Sequence, residues 1–90
     1  MLKKETELSK GTVKSSLLSP REVFVEALDA SAVNIILLHN HPSGDPTPSN
    51  EDLEITATIA EMGRKLDIPL IDHIIIGDNR YISFKEQGYL

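Results

Sequence analysis

The chain has 90 residues, the length of one small domain, and with no Trp, two Phe and two Tyr its core must come mainly from Ile, Leu, Val and Ala. The absence of Cys excludes disulfides and thiolate metal sites, so any metal would rest on His, Asp, Glu or backbone. The net charge is −5, and residues 31–60 carry Asp45, Glu51, Asp52 and Glu54 without a Lys or Arg, which argues against direct DNA binding and suits a cation.

Residues 2–8 alternate weakly between apolar or Thr and charged positions, the pattern of an edge strand. Gly11 to Ser19, rich in Gly, Ser and Thr, reads as a loop. Ser19 as N-cap, Pro20 at the first helical position and Glu22 in the first turn open a helix near 20–31, with Val23, Phe24, Ala27 and Leu28 on one face. Val33 to Leu38 is a short apolar run, the pattern of a strand covered on both faces. It runs into His39-Asn40-His41, and the three Pro and one Gly between Pro42 and Pro48 require an ordered loop or turn.

Ser49-Asn50-Glu51-Asp52 is a capping box that opens a second helix. Its apolar stripe is Ile55, Ile59, Met62 and Leu66; one step back along that stripe stands Asp52, which places its carboxylate on the buried edge near the helix start. Leu70 to Ile76 reads as a second interior strand, Gly77-Asp78-Asn79 as a hairpin turn, and Tyr81 to Phe84 as a further strand. Strands alternating with helices and ending in a hairpin predict an α/β domain with a mixed sheet flanked by helices, in two or three layers. No run approaches the ~20 apolar residues of a membrane span and no secretory signal opens the chain, so the expectation is a soluble cytoplasmic protein.

The chemistry gathers at His39, His41, Ser49 and Asp52. In an extended segment residues i and i+2 point the same way, so both imidazoles can face one point beyond the strand end. The Pro-rich loop is long enough to bring the helix start beside them, where Asp52 would be the third ligand. Three N/O ligands with a fourth position for water is the coordination of a catalytic zinc. Ser49, with helix amides behind it, is placed to stabilise a developing oxyanion. The plainer account treats the His pair as polar surface and Ser49 with Asp52 as a helix cap. A zinc-binding H-E-x-x-H is absent because Asn40 follows His39, a nucleobase deaminase would need a Cys pair, and no nucleophile elbow surrounds Ser43 or Ser49. His73 is either a buried histidine bonded to backbone or Asp72, or a fourth ligand.

The stretch Leu37-Leu38-His39-Asn40-His41-Pro42-Ser43-Gly44-Asp45-Pro46-Thr47-Pro48-Ser49, followed by Asp52, closely resembles the JAMM (JAB/MPN) metal-binding motif of bacterial RadC-like proteins. Ser19 to Phe24, Leu70 to Gly77, and Tyr81 to Phe84 with Gly88 look like the same family, so the resemblance runs from about Gly11 to the C-terminus. It implies a cytidine-deaminase-like fold, a mixed sheet between helices. It also implies one Zn2+ per chain on His39, His41 and Asp52, assisted by Ser49, in a metallopeptidase acting on a peptide or isopeptide. The family normally has a further strand and helix, and a helix-hairpin-helix region, upstream of the matched part. Its general-base Glu comes from there, which leaves Glu5 and Glu7 as the only candidates before Gly11. The alternative is a non-catalytic module for DNA repair or processing. A chain short of its first strand would also expose a sheet edge and dimerise through it.

Overall fold

The computed structural model describes residues 6–9 as backbone, and residues 11–16 and 18–90 with their side chains. The elements are β1 (Thr6–Ser9), β2 (Thr12–Ser15), α1 (Pro20–Asp29), β3 (Asn34–Asn40), α2 (Asn50–Leu66), β4 (Leu70–Gly77) and β5 (Arg80–Ser83). They build one mixed five-stranded sheet in the order β1-β2-β3-β4-β5. The β2–β3 and β3–β4 pairs are parallel and the two outer pairs antiparallel. Each parallel crossover carries one helix, the connection that parallel neighbours require.

The loop expected over Gly11 to Ser19 is therefore a strand over Thr12–Ser15. Thr12 and Val13 favour a strand, but four residues set between Gly11 and Ser16 are too short a run to declare one; what fixes them is pairing with β3 from Thr12↔Asn34 to Ser15↔Leu37. The expected edge strand is β1, displaced towards Ser9, and residues 2–5 of that expectation lie outside the described residues.

Both helices pack on one face of the sheet. Val23, Phe24 and Ala27 of α1 and Ile59 of α2 join Val13, Ile35 and Leu37 in one buried cluster. Leu28, expected on the apolar face of α1, is exposed instead, as is Leu66 at the far end of the α2 stripe. Ser19 caps α1 through its carbonyl, which accepts from the Val23 N–H at 2.9 Å, and not through its hydroxyl.

The register of β4 decides which way His73 points. Ile35 pairs with Leu70 but Ile36 pairs with Asp72, so Ile71 is an extra residue. Such a bulge reverses the alternation of sides beyond it. Leu70 packs against the core, Ile71 is exposed, Asp72 turns to the outer face, and His73 turns inward with no exposed surface. Asp72 then organises the chain after β5, accepting from Ser83 Oγ at 2.5 Å and from the Lys85 N–H at 2.9 Å.

Candidate metal centre

His39 stands near the end of β3 and His41 just past it, so the strand's alternation sends both side chains to the helix-covered side. Their rings meet edge to face with centroids 4.8 Å apart. Opposite them is the first turn of α2. Its capping box is complete: Ser49 Oγ accepts from the Asp52 N–H at 3.0 Å, and Asp52 Oδ2 accepts from the Ser49 N–H at 2.8 Å. The cap holds Asp52 inward, 6% exposed, with Oδ2 3.1 Å from His41 Nε2 and Oδ1 3.6 Å from His39 Nδ1. One donor atom from each of His39, His41 and Asp52 lies within 4.8 Å of the others, the spacing of a group able to hold a metal ion.

Two details bear on whether the group fits a metal. His41 Nδ1 is 2.9 Å from the carbonyl oxygen of Asp45. A carbonyl only accepts, so Nδ1 is assigned the proton and neutral His41 turns a bare lone pair on Nε2 towards the Asp52 carboxylate. Two acceptors facing each other at 3.1 Å require a cation between them, a proton or a metal ion. His39 Nδ1, for its part, is buried with no hydrogen-bond partner. An imidazole nitrogen left so is costly unless a bound group meets it.

The electrostatics favour an anionic Asp52 carboxylate beside a neutral His39 ring. Burial alone would raise the Asp52 pKa, but hydrogen bonding from Ser49 and the two imidazoles outweigh it and hold the carboxyl below its ordinary value. Burial lowers the pKa of His39, offset in part by Asp52 and reinforced by His41. Neutral imidazole and ionised carboxylate are the forms that ligate metal.

The loop from Pro42 to Pro48 is clamped to the β4–β5 hairpin. The His41 N–H donates to the Ile76 carbonyl at 3.0 Å and the Asp78 N–H to the Gly44 carbonyl at 2.8 Å. Gly44 has φ +89°, and a Cβ there would stand 2.5 Å from Asp78 Oδ2. The clamp positions Asp45, whose carbonyl selects the His41 tautomer, and the Asp45 side chain is itself tied to the Thr47 N–H at 3.0 Å.

His73 lies behind the donors, stacked at 6.0 Å on His39 and at 4.5 Å on Phe84. Its ring is bonded neither to backbone nor to Asp72: Nδ1 meets Thr56 Oγ1 at 2.7 Å, and Asp72 reaches only the His73 N–H. Nε2 is buried without a partner, and burial pushes the imidazole down to about 4. Thr56 was not singled out in the sequence; the available signal was its place four residues after Asp52, one turn along the same inward face. Ser49 stays exposed at the cluster's edge. Glu5 lies outside the described residues, and Glu7 belongs to β1, described as backbone.

The family model for the RadC-like JAB domain matches residues 1–89, so this fold is that of a JAB-type module. The chain belongs to the RadC-like JAB domain family. It is 58% identical over 80 residues to a UPF0758 protein of Bacillus licheniformis, covering 89% of this chain and 36% of that protein. A UPF0758 protein of Clostridium perfringens is 56% identical over 84 residues, 93% of this chain and 37% of that one. One from Geobacillus thermodenitrificans is 55% identical over 80 residues, 89% and 35% of the respective chains. The chain thus spans about a third of the length of the curated relatives it matches. No helix among the described residues is long and apolar enough to cross a membrane.

Proposed function

We propose that His39, His41 and Asp52 hold a single zinc ion in a JAMM-type hydrolase of peptide or isopeptide bonds. The observation that carries this reading is the pair of imidazole nitrogens, His39 Nδ1 and His41 Nε2, turned on one buried carboxylate with no proton donor between His41 and Asp52. Zinc in such a site polarises a substrate carbonyl and brings a bound water to near-neutral pKa. Ser49 Oγ accepts from the helix, which leaves its own O–H free to donate to an oxygen that gains charge during attack. The Pro42 to Pro48 loop keeps His41 in the ligating tautomer through Asp45. The water's proton requires a carboxylate outside the donor set. Since the chain spans about a third of its relatives, the assay is run on this chain and on a full-length relative side by side.

The test is cleavage of an unfolded protein such as casein and of a Lys ε-amide-linked peptide. Cleavage is expected to stop on chelation, return with zinc, and vanish in His41→Ala. Cleavage that survives both chelation and His41→Ala would contradict the proposal. No cleavage by the zinc-loaded full-length relative would favour the alternative, a non-catalytic module in DNA processing.

A further inference from the structure

Beside the donor cluster, on the flank of α2, runs an open groove of about 570 Å³ that shares His39 and Asp52 with it. Leu18 and Ile55 give it apolar lining, and Glu51 and Glu54 bring two exposed carboxylates. Glu51, Glu54, Ile55 and Thr58 are three to four residues apart in pairs, so one helix face presents them together. Neither Glu51 nor Glu54 has an ion-pair partner among the described residues. The basic residues of the same helix are engaged elsewhere, Arg64 and Lys65 lying 2.6 and 3.8 Å from Glu61. No Lys or Arg among the described residues lines the groove. A divalent ion on the donors, offset in part by Asp52, would leave one positive charge, against which the two carboxylates of Glu51 and Glu54 still keep the groove net negative.

From this we infer that the groove selects substrates carrying a Lys or Arg side chain next to the bond to be cut. Such a side chain is an apolar stem with a cationic head, and the groove offers each its complement. The stem lies along Leu18 and Ile55 while the head meets Glu51 and Glu54. An acidic or purely apolar side chain finds only half of that complement. The inference rests on the hydrolase reading for the bond next to the groove, and on the groove alone for the choice of side chain.

The experiment measures binding, so that its failure is separable from failure of the hydrolase reading. Two fluorescein-labelled peptides of one sequence, differing only in a central Lys-Arg or Glu-Glu pair, are titrated by anisotropy with chelator and again with zinc. The Lys-Arg peptide is expected to bind the more tightly in both. Exposed ion pairs are weak, so Glu51→Gln and Glu54→Gln should each weaken its binding by about two- to five-fold, and the double variant by roughly ten-fold. The preference should shrink at 1 M salt, where charges are screened within ~3 Å. Glu61→Gln, with the same charge change further along α2, should leave binding unchanged. Equal affinity for the two peptides, or a Glu61→Gln loss matching that of Glu51→Gln, would overturn the inference.

Discussion

Acidification of the metal-free chain should expose the burial of His73. The imidazole has no exposed surface and titrates at about 4, against 6.5 in the unfolded chain. A histidine pKa lowered by folding leaves the unfolded state binding the extra proton, so stability is complete above pH 6.5 and falls as pH drops towards 4. With about 1.4 kcal/mol per pH unit, the loss through His73 approaches 3 kcal/mol at pH 4. That is a substantial share of the about 5–15 kcal/mol that holds a domain folded. His39, also lowered by burial, adds in the same direction. Asp52, held below its ordinary value of 3.8, contributes stability that is lost only at still lower pH, which keeps the two windows apart. The assay is urea unfolding followed by circular dichroism at half-unit pH steps from 7 to 4, with chelator present. His73→Gln should flatten most of the slope. A wild-type stability independent of pH over this range, or an undiminished slope in His73→Gln, would refute the reasoning.

Three further outcomes follow from the same geometry. Thr56→Val strips the His73 Nδ1 of its partner and should cost about 1–3 kcal/mol in the same unfolding assay. Gly44→Ala forces a side chain into a left-handed backbone and against Asp78; it should weaken zinc binding in a competition titration, and Asp78→Ala in the same chain should recover the steric part of that loss. Ile59→Ala, in the core and away from the donors, should lower stability by about 2–5 kcal/mol while leaving zinc stoichiometry unchanged.

What the sequence disclosed and what it withheld divide along physical lines. Helix starts were legible because their signals are local: the Ser49 to Asp52 capping box and Pro20 sit within one turn of the ends they define. The same locality brought His39, His41 and Asp52 to notice, since H-x-H at a strand end and an acid at the third helical position are spacing rules. Strand β2 was missed because its order comes from β3, about twenty residues further along the chain. The inward turn of His73 depends on the extra residue Ile71, which no alternation pattern marks. Its partner Thr56 needed the packing of α2 over β4, and the clamp between Gly44 and Asp78 needed the return of the β4–β5 hairpin to the loop. The α1 stripe overreached at Leu28, where the helix face turns from the core to solvent one residue after Ala27.

The central claim is that two imidazoles and one helix-capping carboxylate share a metal ion. Equilibrium dialysis against zinc, with bound metal read by mass spectrometry, tests it directly on the wild-type chain, His39→Ala, His41→Ala and Asp52→Asn. The account predicts about one zinc per wild-type chain and its loss or marked weakening in each variant. A wild-type chain that holds no zinc at saturating metal, or variants that hold it as firmly as wild type, would contradict it.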